Sequence, residues 1–219
     1  TKGSQKMRII ITCLSLLLAS SISFANIHTP EVQQTLHALE AGTGNFVNDY
    51  VFTCQDRSIV RCDEEENVIQ LTQYVTAESQ LDVDVSVFTH LYNYRLIAEI
   101  PLTRFPAGLL NLAHLNNFSI ETDSTIVPVF DGSTFPQALT VLSVNAINSA
   151  IKLSNWQSSS VERLTLNATE VDFNFVQIPN LKRLDLASTQ FLRNEVFEAY
   201  VSVSTFSWQS IYKQNALVY

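Results

Sequence analysis

Pairs of apolar residues, separated by a single position, recur along the chain at intervals of 20 to 25 residues. They are Ile69-Leu71, Tyr94-Leu96, Phe118-Ile120, Leu142-Val144, Leu164-Leu166, Leu184-Leu186 and Phe206-Trp208. Apolar residues at every second position are typical of a β-strand with one buried face. A strand unit that repeats at this interval predicts a solenoid, in which stacked turns align their strands in one parallel sheet and return through short irregular or 3-10 segments.

The segment before the repeats has the pattern of a short amphipathic helix. Thr29 is a possible N-cap, Pro30 suits the first helical position, and Gly42 is a stop signal. The apolar residues at helical spacing are Val32, Leu36 and Leu39. Because the first turn of a solenoid needs a cover for its apolar edge, we predict an N-terminal cap over residues 26–67. About seven repeats would then fill residues 68–219, with truncation of the last one left open.

The first 25 residues have the pattern of a secretory signal peptide with a few extra leader residues. Basic residues precede an apolar run from Ile9 to Ala19, and small residues follow up to a predicted cleavage site after Ala25. Met7 is the natural start, which makes Thr1 to Lys6 the extra leader. The apolar run is too short to favour a membrane span. We therefore expect a secreted or cell-surface protein without a membrane span in this chain.

The charge balance is acidic, with 13 basic and 21 acidic residues and a net charge of −8. Removal of the basic leader would make the net charge about −11. Nucleic acid is an unlikely partner for such a chain, because affinity for phosphates comes mainly from Lys and Arg. Beyond Cys13 in the leader, Cys54 and Cys62 form one even pair. In an oxidising compartment we expect them to form a disulfide.

The most regular repeats have the form L-x-x-L-x-L, as in Leu181 to Leu186 and Val161 to Leu166. With the cysteine pair before the first repeat, these segments resemble the extracellular leucine-rich repeat family with a cysteine-paired cap of the plant and protist type. The resemblance implies an α/β solenoid with a concave parallel sheet, short convex segments and an N-terminal helical cap. In this family an asparagine ladder connects the turns, and here its positions are occupied by Glu99, Asp123, Ile147, Thr169 and Thr189. Irregular convex loops are therefore expected.

Residues that flank the inward pairs would stand on the concave face and form the candidate binding site. The predicted ligand-binding residues are Arg95, Glu121, Asn145, Arg163, Thr165, Arg183 and Asp185. Arg163 and Arg183 hold equivalent positions in neighbouring repeats, so their guanidinium groups would lie about one strand spacing apart, roughly 5 Å. Such a pair suits an acidic group on a ligand. The alternative is a solvated face with exposed ion pairs that contribute little.

Further polar residues carry weaker hypotheses. Asn117 and Asn167 begin glycosylation sequons, whose glycans would cover part of the same face. His90 and His114 occupy equivalent positions in consecutive repeats. Two adjacent imidazoles could bind a metal or sense pH, but ordinary turn residues are the favoured interpretation, and we predict no metal site.

No catalytic or cofactor-binding motif is present in the sequence, and we expect neither activity nor cofactor. We predict a non-enzymatic recognition module that binds an extracellular protein, peptide or glycan through its concave face. One alternative is a structural or adhesive extracellular component. Another is a polysaccharide-acting enzyme of the parallel β-helix class, which needs clustered carboxylates. The face offers Asp185 alone for this purpose, with Glu121 far away.

Overall fold

The computed structural model describes residues 26–41, 50–56, 58–128, 130, 135–158, 160–198 and 205–209. Side chains are described in these ranges except at 173–175, 188–198 and 205–209. The predicted signal segment 1–25 lies outside the described residues. One α-helix is followed by strands and short 3-10 helices. The elements are α1 (Pro30–Glu40), β1 (Val60–Cys62), β2 (Val68–Val75), β3 (Asn93–Ala98), β4 (Asn117–Thr122), β5 (Val141–Ser154), β6 (Arg163–Gln177), β7 (Arg183–Glu198) and β8 (Thr205–Gln209), with 3-10 helices at Glu78–Asp82, Val85–Val87 and Leu109–Asn111.

The strands form one eight-stranded sheet in the order of the sequence. Strand β1 pairs antiparallel with β2, and every later strand pairs parallel with the one before it. The chain therefore advances by one strand per turn and builds a parallel β-solenoid of about five turns. This confirms the predicted solenoid with its parallel sheet, 3-10 turns and N-terminal helix.

The inward pairs of β3 to β7 are buried as the periodicity predicts. The first inward position of successive strands is filled by Leu71, Tyr94, Phe118, Leu142, Leu164 and Leu184. The predicted first pair, Ile69-Leu71, is wrong by two residues, because Leu71 and Gln73 align with the pair of β3. Gln73 can be fully buried because it accepts a hydrogen bond from the Tyr94 hydroxyl and donates one to the Gln80 carbonyl at 3.0 Å.

Strands β5, β6 and β7 continue around a corner, so they are much longer than the two or three alternations that the sequence indicates. In β5 the register shifts between Ala146 and Ala150, and pairing then resumes, with Ile151 opposite Val171. Earlier turns reach this second side of the solenoid through isolated bridges such as Leu102 to Ile126. Aromatic side chains, all buried except the partly buried Phe105, lie between the two sides and pack edge to face or tilted. They are Phe105, Phe118, Phe130, Phe135 and Trp156.

Side-chain hydroxyls connect consecutive turns at this corner. Ser124 Oγ donates to the Glu99 carbonyl at 3.2 Å, Ser149 Oγ to the Ser124 carbonyl at 2.8 Å, and Thr169 Oγ1 to the Ser149 carbonyl at 2.7 Å. Ser149 Oγ also accepts the backbone N–H of Ile126 at 3.0 Å. We call Ser124, Ser149 and Thr169 the hydroxyl ladder. Among the asparagine-ladder positions whose side chains the structure describes, Thr169 contributes a hydroxyl to it, and Glu99, Asp123 and Ile147 do not.

The N-terminal cap covers the first turn with α1, the disulfide loop and β1. Val32, Leu36 and Leu39 are buried, as the helical pattern predicts. Cys54 and Cys62 form the expected disulfide, with Cα atoms 5.6 Å apart. Closing this short loop lowers the entropy of the unfolded chain, which stabilises the folded protein by roughly 2 to 3 kcal/mol. The cap thereby protects the β2 edge of the solenoid.

Candidate ligand-binding face

The outward side chains of β3 to β7 form three parallel rows, which together we call the front face. The first row contains Asn93, Asn117, Val141, Arg163 and Arg183. The middle row contains Arg95, Ser119, Ser143, Thr165 and Asp185, and the third row contains Ile97, Glu121, Asn145, Asn167 and Ala187. Neighbours in a row are about one strand spacing apart, roughly 4.8 Å. All of these residues are at least partly exposed, so the structure brings every predicted ligand-binding residue onto one face.

Most charges on the front face neutralise one another. The Arg95 guanidinium donates two hydrogen bonds to Glu121, from Nε at 3.0 Å and from Nη2 at 2.6 Å. This carboxylate raises the pKa of Arg95 above its ordinary value. Arg183 Nε donates to Asp185 Oδ2 at 2.6 Å. Because the side chains of both arginines are about half exposed, such pairs contribute at most about 1 kcal/mol.

Arg163 differs from the other arginines of the face. Its side chain is exposed and, within the part of the chain that the structure describes, has no carboxylate or hydrogen-bond partner. It lies opposite Arg183 in the β6–β7 register. The residues just before the two arginines, Glu162 and Lys182, pair with each other at 2.8 Å. The charges of Glu162 and Lys182 therefore cancel each other, and the guanidinium of Arg163 remains as a local positive charge.

Asparagine pairs flank the middle row on both sides. In the first row, Asn117 Nδ2 donates to Asn93 Oδ1 at 2.5 Å, and in the third row, Asn167 Nδ2 donates to Asn145 Oδ1 at 2.8 Å. These pairs join adjacent strands, and they fix the orientation of the side chains that form them. Sequence reasoning missed them, although asparagines at equivalent positions in consecutive repeats are the signal that could have found them.

The same geometry bears on glycosylation, which stays a prediction. Asn117 and Asn167 are the sequon asparagines, and Nδ2 is the atom to which a glycan would be attached. In the folded protein both Nδ2 atoms are engaged with the neighbouring strand. The Thr169 hydroxyl of the second sequon is also engaged, in the hydroxyl ladder.

The middle row presents hydroxyls that the fold itself does not use. Ser119, Ser143 and Thr165 are consecutive neighbours on β4, β5 and β6. Among the described residues, none of these hydroxyls has a hydrogen-bond partner. The predicted site includes Thr165 and omits the two serines. Their importance follows from the register, because it places them between Arg95 and Asp185 in one line.

His90 and His114 stack face to face outside this face, with ring centroids 6.2 Å apart and planes 7° apart. Lone pairs of parallel, stacked imidazoles do not converge on one point, so the arrangement offers no chelate.

Asp63 carries a pKa below its ordinary value. Partial burial opposes this shift, but hydrogen bonds from Asn67 and Glu65 and the charge of His90 outweigh it. Among the described residues, no cluster of three or more acidic, histidine or cysteine side chains could hold a metal ion.

Comparison of the chain with protein-family profiles, with curated proteins and with solved structures gives no match. No helix within the described ranges is long and apolar enough to cross a membrane. The disulfide is consistent with an oxidising compartment. The fold and the site define the class of protein. It is a parallel β-solenoid with a disulfide-linked N-terminal cap and a polar front face.

Proposed function

We propose that this protein is a non-enzymatic recognition module of the leucine-rich repeat type, secreted or displayed at the cell surface, that binds an extracellular ligand through its front face. The observation that carries the proposal is Arg163, an exposed cation that has no partner among the residues the structure describes and lies beside a row of available hydroxyls. An arginine in this state donates several hydrogen bonds in a fixed geometry and suits a ligand carboxylate.

Export and the leucine-rich repeat type are supported by separate features. The predicted leader and the Cys54–Cys62 disulfide are both typical of an extracellular chain. The repeat length and the L-x-x-L-x-L pattern support the leucine-rich repeat type, whereas the hydroxyl ladder in place of an asparagine ladder marks this chain as an unusual example.

Binding without turnover is supported by the positions of the acidic residues on the front face. Glu121 and Asp185 lie on β4 and β7, three strand spacings apart, which is roughly 14 Å along the sheet. Glycoside hydrolysis needs two carboxyl groups about 5 to 10 Å apart. Each of the two is also ion-paired with an arginine. Neither the distance nor the pairing favours a general acid and base.

The test compares two charge reversals of equal size. Arg163→Glu alters the front face, and Lys152→Glu alters an exposed lysine on β5 beyond the corner, outside that face. Purified wild-type and variant proteins are applied to an array of extracellular glycans, peptides and protein domains. We expect the wild-type protein and the Lys152 variant to bind the same ligand and the Arg163 variant to lose it.

Mass spectrometry of the ligand after prolonged incubation tests the absence of turnover, and we expect its mass to be unchanged. Equal binding by the Arg163 and Lys152 variants would contradict the proposed face. Time-dependent cleavage of the ligand would contradict a non-enzymatic role.

A further inference from the structure

We propose that the front face binds an acidic polysaccharide of β-1,4-linked uronic acid units, which runs across the strands along the middle row. This inference depends on the binding function proposed above and names its ligand class. It arises from three features of the same face, which are the spacing of the hydroxyls, the unpaired cation and the absence of large apolar anchors.

The spacing of the middle row matches a polysaccharide. Ser119, Ser143 and Thr165 are in register on adjacent strands, and adjacent strands are about 4.8 Å apart. This spacing is close to the length of one sugar unit in an extended β-1,4-linked chain. Successive sugars would therefore meet successive hydroxyls, each of which can donate to and accept from a sugar hydroxyl.

The flanking rows offer the same kind of chemistry. The Asn93–Asn117 and Asn145–Asn167 pairs present amide groups on the two sides of the hydroxyl row. Because the pairs hold these side chains in place before a ligand arrives, their ordering cost is already met in the free protein.

The charge of the face selects an acidic sugar. Arg95 is neutralised by Glu121, and Arg183 is neutralised by Asp185. Arg163 alone remains available on the front face as described, two residues before Thr165 on β6 and adjacent to Arg183. A guanidinium binds a carboxylate with two parallel hydrogen bonds. One uronate unit placed over β6 would therefore meet Arg163, while its neighbours meet the serines of β5 and β4.

A peptide ligand fits the face less well. Peptide and protein partners usually bind through large apolar or aromatic anchors that fill pockets. Within the described residues the exposed large apolar side chains are Val51, Tyr92, Leu110, Val127 and Ile147. None of them belongs to the front face. Its apolar residues, Ile97, Val141 and Ala187, are only partly exposed and lie in the outer rows, and the middle row has none. Hydrogen bonding and charge are therefore the main interactions that this surface offers.

The experiment uses two sugars that differ in one group. Oligomannuronates and β-1,4-mannan oligomers of equal length share the same backbone and differ by a carboxylate in place of a hydroxymethyl group. Calorimetric titration of the full chain is expected to show at least tenfold tighter binding of oligomannuronate, with affinity rising as units are added until the described strands are spanned. Arg163→Gln should reduce this preference about tenfold, and Lys152→Gln, beyond the corner of β5, should leave it unchanged.

A second variant separates the hydroxyl row from the charge. Thr165→Val keeps the shape of the side chain and removes its hydroxyl, so it should lower the affinity for both sugars by a similar factor. Circular dichroism and unfolding midpoints equal to those of the wild-type protein show that each variant is folded.

Equal affinities for oligomannuronate and mannan, or equally tight binding of an oligoglutamate peptide, would overturn the polysaccharide assignment. If the protein binds another ligand through Arg163 on the array but no oligomannuronate, the ligand class is wrong while the binding function stands. If no ligand of any class depends on Arg163, both proposals fail.

Discussion

Ser149 is the middle residue of the hydroxyl ladder, and its hydroxyl satisfies two backbone groups of the preceding turn. Its side chain is 3% exposed and lies where β5 turns the corner between Ala146 and Ala150. The Ser149→Ala change removes the acceptor of the Ile126 N–H and the donor to the Ser124 carbonyl. A buried N–H without a partner costs about 1 to 3 kcal/mol, and a carbonyl with partial access to water costs less. We expect a loss of about 2 to 3 kcal/mol in the free energy of unfolding.

Urea unfolding followed by far-UV circular dichroism measures this loss, provided that the slope against urea is the same for both proteins. Ser124→Ala is the matched control, because it removes a single longer hydrogen bond of 3.2 Å at an exposed site. We expect it to cost less than about 1 kcal/mol. If the two variants differ by less than about 0.5 kcal/mol, the argument that Ser149 satisfies buried backbone groups is refuted.

Three further changes test the turns and the cap by the same urea assay. Gly108 has a φ of +77°, and an added Cβ would overlap the Asp84 side chain, so Gly108→Ala should cost at least about 1 to 2 kcal/mol; an unchanged midpoint would contradict this. Replacing Cys54 and Cys62 together by serine should cost roughly 2 to 3 kcal/mol, and no loss would show that the cap does not depend on the disulfide. The lowered pKa of Asp63 gives stability that is present above its ordinary pKa of about 3.9 and is lost as the pH falls through its folded value. Asp63→Asn should therefore flatten the decline in stability below about pH 5, and an equal decline in both proteins would contradict the cause given for the shift.

The solenoid is predictable from the sequence because an inward side chain of each turn must be apolar, and a repeated strand leaves a repeated pair. The same rule fails at Gln73, which is polar and fully buried. Its burial depends on Tyr94 and Gln80, which are 21 and 7 residues away in the sequence. Periodicity contains no information on such partners, so the first repeat is predicted two residues out of register.

The candidate site is predictable in its positions and not in its charge state. Alternation along each strand identifies which residues point outward, and Arg163 is among those predicted. The pairing of Arg95 with Glu121 runs diagonally between two rows of adjacent strands and joins residues 26 positions apart. A list of outward residues therefore cannot tell a neutralised arginine from an available one, and that distinction decides where an acidic group would bind.

The hydroxyl ladder and the in-register strands connect each turn to its immediate neighbours, which makes a turn an interchangeable structural unit. Spacing along the chain varies between turns, yet each strand remains aligned with the one before it. Duplication of one internal turn would thus add a strand, a ladder hydroxyl and one residue in each row of the front face, without altering the cap. If the front face binds as proposed, the length of ligand that it contacts would then be set by the number of turns and would change by one unit at a time.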